Sequence, residues 1–113
     1  MTQTNDLTVS DSFRVFQTEA PRHAAAWQQA VMALGDASAL DEKTEALTYL
    51  AVIAGLGFES GVPFHVGLAK AAGASRDEVV SAVLVGLPAA GQIVIRSLPV
   101  ALSAYDARPE AQR

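Results

Sequence analysis

The chain has 113 residues, one domain's worth; half are hydrophobic and 18% are charged. Its formal net charge is -4, and Arg14, Arg22, Lys43, Lys70, Arg76 and Arg96 are scattered singly, which argues against a nucleic-acid partner. There is no cysteine, which excludes disulfides, thiolate metal sites and any sulfur nucleophile or redox pair within the chain.

Residues 1–9 read as a loose polar arm without the basic start and apolar core of a signal peptide, so a cytoplasmic chain is expected. Ser10 or Asp11 is placed to cap a short helix carrying Phe13, Val15 and Phe16. Pro21 suits the first turn of a second helix, where its missing N–H costs nothing. Trp27, Ala30, Val31 and Leu34 give that helix one apolar face, and Gly35 is placed to end it. Trp27 reads as core or interface, and His23 as solvent-exposed. Asp41 is a good N-cap for a third helix, with Leu47, Leu50, Ala51 and Ala54 spaced for burial and Gly55 and Gly57 closing it.

Pro63 is tolerated only near a helix start, so the fourth helix is expected to begin at Ser60 or Gly61 and run to Ala72, with Gly73 as its stop. Ser75, Arg76, Asp77 and Glu78 form a capping box that starts a fifth helix, with Val79, Val80, Val83 and Leu84 inside. A last helix is expected from Pro88 to Tyr105, kinked or split at Pro99. The tail after Asp106 is polar and reads as frayed. No β-alternation of useful length appears, so the fold class is all-α, with a helical domain over residues 10–106.

A domain this small cannot hide so large an apolar fraction in its own core, so a homo-oligomer is expected. Two apolar stretches imitate membrane spans, which need roughly 20 mostly apolar residues. The first, Ala46 to Phe58, is too short, and the second, Val79 to Ile95, contains Ser81, Pro88 and Gln92. Both are expected to be buried helices of a soluble oligomer, with no membrane partner.

Isolated ionisable groups in apolar stretches are costly to bury unless they are paired or useful. Glu59 is the only carboxylate or cation from Ala46 to Ala69, and Arg96 the only one from Val79 to Tyr105. His65 shares a helix face with Val62, Val66, Ala69 and Ala72. It reads either as a core histidine bonded to a backbone carbonyl or as a general acid or base on a pocket wall. Glu59 is either a carboxylate favoured by the following helix N-terminus or the proton partner of His65. Arg96 suits an ion pair across a subunit interface, or a two-pronged contact to a substrate carboxylate. Tyr49 suits packing with a wet tip, or the same pocket as His65. Two distant histidines without cysteine make a zinc site improbable, and Gly55-Leu56-Gly57 is too short for a phosphate loop.

The run Lys43 to Val52, the segment Phe58 to Gly73 read as FESGVPFHVGLAKAAG, Ser75 to Val80, and Gly86-Leu87-Pro88-Ala89-Ala90 together resemble the carboxymuconolactone decarboxylase family, which includes the AhpD-type alkylhydroperoxidases. The resemblance covers roughly residues 12–106 and implies an oligomeric bundle of about six helices, commonly a trimer or hexamer. The peroxidase branch uses a glutamate, two cysteines and a histidine. The cysteine positions read here as Phe58 and Gly61, the glutamate position as Ala46 with Glu45 one residue off, and the histidine as His65. Dithiol peroxidase chemistry is therefore not expected. The lactone decarboxylase branch needs no thiol, and its histidine also matches His65. The resemblance then implies a cofactor-free acid–base enzyme of decarboxylase or isomerase type acting on a small organic acid. In that reading His65 and Glu59 are catalytic, Arg96 and Tyr49 hold substrate, and no metal is required. The alternative is a non-catalytic oligomeric binding or scaffold protein of the same fold.

Overall fold

A computed structural model describes residues 10–107. The expected polar arm, residues 1–9, lies outside them, as does all but the first residue of the expected tail. Every regular element among the described residues is helical. In chain order they are α1 (Asp11–Glu19), α2 (Pro21–Ala37), α3 (Glu42–Leu56), a 3₁₀ turn (Glu59–Gly61), α4 (Val62–Ala71), α5 (Arg76–Leu84), α6 (Leu87–Ala90), a second 3₁₀ turn (Gly91–Val94) and α7 (Ser97–Asp106). The six longer helices match the all-α expectation.

The helix starts follow the sequence signals. The Ser10 hydroxyl accepts from the Phe13 N–H, and the Asp41 carboxylate from the Thr44 N–H at 2.7 Å. The capping box is complete: Ser75 Oγ accepts from the Glu78 N–H, while the Glu78 carboxylate accepts from the Ser75 N–H. That bond, together with Lys43 Nζ at 3.1 Å, holds the Glu78 carboxyl below its ordinary pKa.

α3, α4, α5 and α7 form the packed unit. Leu50, Ile53 and Ala54 of α3 meet Val62, Val66 and Ala69 of α4, Val79 and Val83 of α5, and Ala101 of α7. The end of α7 is tied down by polar contacts. Tyr105 Oη donates to the Ala74 carbonyl at 2.8 Å, Lys70 Nζ donates to the Tyr105 carbonyl, and Arg76 grips Asp106 through two bonds of 2.9 and 3.0 Å.

Several expectations are corrected. Gly35 does not end α2, which continues to Ala37, because nothing near Gly35 demands a left-handed residue. Gly55 likewise lies inside α3, and the left-handed C-cap is Gly57, at φ 73°. The last helix does not break at Pro99. It breaks at Gly91, with φ 77° and ψ -148°, and Pro99 is the third residue of α7. An N–H in the first turn has no intrahelical acceptor, so a proline there costs no helical bond.

The largest departure concerns α1 and α2. They pack on each other and make no substantial contact with the remaining helices. Neither contains a buried residue. Trp27 is 56% exposed and Leu34 69%, so Trp27 is not part of this chain's core. The radius of gyration, 14.6 Å, exceeds the roughly 13 Å of a compact 100-residue domain, as a projecting hairpin requires. Within this chain the apolar stretch Arg76–Val94, which overlaps the expected buried helix Val79–Ile95, is only 17% buried. By length and composition it passes as a membrane span, but the chain divides it among α5, α6 and the second 3₁₀ turn.

Candidate functional site

Gly57 turns the chain out of α3 with its α-carbon against Ile93; a β-carbon there would lie 2.7 Å from Ile93 Cδ1. The 3₁₀ turn follows at once, and Pro63 then sits in the first turn of α4, where it needs no acceptor. One turn further on, Val62, Val66 and Ala69 point into the core, which leaves His65 at the edge of that face, partly buried.

The His65 ring stacks on Tyr49 with centroids 4.2 Å apart and planes at 23°, and the edge of Phe64 meets it at 5.2 Å and 90°. Among the described residues neither ring nitrogen has a hydrogen-bond partner. The core reading required a bond to a backbone carbonyl, and that bond is absent among them. Burial without a compensating acceptor disfavours the imidazolium, so the His65 pKa falls below its ordinary value. Tyr49 remains 48% exposed, in keeping with a packed ring and a wet tip.

Glu59 and Arg96 form the second pair. Arg96 Nη2 lies 2.9 Å from Glu59 Oε2, yet that oxygen, which is enclosed, receives no well-angled hydrogen bond. Distance makes this an ion pair, and the angle leaves the oxygen short of a donor; charge attraction depends weakly on angle, so the pair stands. The acid beside Arg96 is thus in its own chain. Most of the Arg96 side chain faces solvent. The four residues singled out in the sequence therefore meet as Tyr49 with His65 and Glu59 with Arg96.

The positions that resemble the peroxidase cysteines are neighbours in space. A β-carbon on Gly61 would lie 2.8 Å from Cε2 of Phe58, so the glycine makes room for the ring. Ala46 packs against the core and Glu45 is partly buried. The two positions hold no sulfur, so they offer no electron carrier. Among the described residues no group of three His, Asp or Glu could hold a metal ion.

Sequence reasoning missed a groove of about 600 Å³ between α3 and α5. Leu47, Thr48 and Ala51 line one side, and Asp77, Glu78, Ser81, Ala82 and Val85 the other. Small residues at three- and four-residue spacing on two helices were the available signal.

Neither a curated protein nor a solved structure matches the chain significantly. The sequence pattern of the Carboxymuconolactone decarboxylase family matches residues 21–102, which take in α2, both side-chain pairs and most of α7. On that match the chain belongs to the carboxymuconolactone decarboxylase family, as a member without cysteine.

Proposed function

We infer that the protein is a cofactor-free acid–base enzyme that decarboxylates a small unsaturated organic acid, with His65 as the proton carrier. One observation carries this reading: His65 is partly buried and held by two aromatic rings, with both nitrogens unbonded among the described residues. Burial lowers its affinity for a proton, so its protonated form is a stronger acid than a free imidazolium.

In the reaction the bond from carbon to the carboxylate breaks and carbon dioxide leaves. The electron pair moves into the conjugated system, and the imidazolium delivers a proton to carbon, leaving neutral imidazole. Arg96, largely open to solvent, holds the substrate carboxylate, and Glu59 keeps its guanidinium in place. Tyr49 supports the ring of His65 and lines the substrate's approach. The enzyme works in the cytoplasm as a homo-oligomer, a trimer or hexamer, and the apolar surfaces of α1 and α2 support assembly.

The test is carbon dioxide release from carboxymuconolactone by the native chain and by His65→Gln. The native chain is expected to turn over, and the variant to lose roughly 10²- to 10⁴-fold, the usual worth of a positioned acid. A variant as fast as the native chain refutes the role of His65. A second reading, an oligomeric binding protein without catalysis, is favoured by one observation: His65 does not line the groove between α3 and α5. It prevails if the assembled native chain releases no carbon dioxide.

A further inference from the structure

We propose that the His65 site takes a planar, conjugated acid with a single carboxylate, and that Phe58 is the apolar platform that selects it. The proposal rests on the acid–base reading above and names the class of acid on which it acts.

Phe58 lies between the two side-chain pairs. It precedes Glu59 in the chain, so it adjoins the residue that holds Arg96. Gly61 is the N-cap of α4 and has helical backbone angles, φ -87° and ψ -13°, which put it one turn before His65 on the same helix face. One edge of the Phe58 ring packs on that glycine: a β-carbon there would meet Cε2 at 2.8 Å and Cδ2 at 3.0 Å. Phe58 is nevertheless 50% exposed, and Leu68, also exposed, continues the face one turn beyond His65. From Glu59 to His65 the chain advances about 10 Å, at about 2.0 Å per residue in the 3₁₀ turn and about 1.5 Å in α4. That is the span of a small acid held at one end by a guanidinium and met at the other by an imidazole. Its body then runs over an aromatic ring, which suits a planar conjugated molecule.

Charge limits the acid to one carboxylate. Arg96 is the cation of the site, and Glu59 already offsets it. His65 adds no charge at neutral pH, because burial lowers its pKa. Glu45, partly buried one turn before Tyr49 on α3, adds negative charge on that side. Lys43, Lys70 and Arg76 are engaged with Glu78, the Tyr105 carbonyl and Asp106. Arg14 and Arg22 stand on α1 and α2, which make no substantial contact with the other helices. Among the described residues a second carboxylate therefore meets no cation of its own, and an unpaired charge against an apolar wall is costly. A monoacid also leaves a neutral product, which Arg96 does not retain. Carboxymuconolactone, with its two carboxylates, is then a slower substrate than a monoacid of similar size.

Sorbate and trans,trans-muconate are the probes, because they share a six-carbon conjugated chain and differ only in a terminal methyl against a second carboxylate. Calorimetry at neutral pH measures the binding of each. The native chain is expected to bind sorbate at least about tenfold more tightly than muconate, whose second charge finds no partner. Phe58 is half exposed, so Phe58→Ser leaves the packed unit intact, as circular dichroism checks, and it is expected to weaken sorbate about tenfold. Leu68→Arg places a cation one turn past His65 and is expected to tighten muconate at least about tenfold, closing the gap. Muconate held as tightly as sorbate by the native chain, or no sorbate binding, overturns the single-carboxylate class. Sorbate binding that Phe58→Ser does not weaken overturns the platform. Either result leaves the acid–base reading standing wherever carbon dioxide release still depends on His65. Selective sorbate binding in a chain whose carbon dioxide release ignores His65→Gln refutes that reading and keeps the pocket.

Discussion

At the scale of single residues, His65 and Ser97 carry the sharpest consequences. The folded-state pKa of His65 is lowered by burial. Above about pH 6.5 the ring is neutral both folded and unfolded, so it contributes nothing to the pH dependence. Below that value the unfolded chain binds the proton first, and stability falls until the pH passes the lower folded-state pKa. Urea titrations across this window should show the decline in the native chain and a smaller one in His65→Gln. Ser97 is fully buried, and its hydroxyl has no partner among the described residues. Such a group carries a desolvation cost that no bond offsets. Ser97→Ala is therefore expected to raise stability by roughly 1 kcal/mol in chemical denaturation. A loss would mean that the hydroxyl has a partner in the assembled protein.

At the scale of elements, the capped helix starts were legible, while the start of α7 and two of the stops were not. Ser10, Asp41 and Ser75 cap as their side chains predict, because an N-cap is a contact within three residues. Ser75→Ala should cost about 1 kcal/mol of stability, measured by thermal or urea unfolding. Glycines are harder to read. Gly35, Gly55 and Gly57 all look like stops, but of the three only Gly57 takes a left-handed backbone, as the C-cap whose N–H reaches the Ala54 and Ile53 carbonyls. Gly57→Ala is expected to lose about 1–2 kcal/mol from the backbone alone, with Ile93 displaced as well. Pro99 misled in a similar way. Whether a proline breaks a helix depends on where the helix begins, and α7 begins at Ser97, two residues before Pro99. His65, Tyr49, Glu59 and Arg96 were legible as isolated polar groups in apolar sequence. Their pairing was not, since it depends on how α3, α4 and α7 cross.

At the scale of the whole molecule, the apolar excess divides between a small core and a broad exposed surface. Leu50 sits at the centre of that core with no exposure, and Leu50→Ala should cost about 2–5 kcal/mol. Composition announced the surplus, but it did not say that α1 and α2 would carry so much of it. Placing a helix against the core or away from it depends on long-range packing, which local periodicity does not encode. The same composition removes sulfur from the turn ahead of α4, where Phe58 and Gly61 stand. What remains beside that turn is an imidazole with a low proton affinity. The most direct measurement is the pH profile of carbon dioxide release from carboxymuconolactone. The native rate should rise as pH falls towards the lowered pKa of His65, and His65→Gln should erase that limb along with most of the rate. An identical profile in the two proteins would contradict proton delivery by His65.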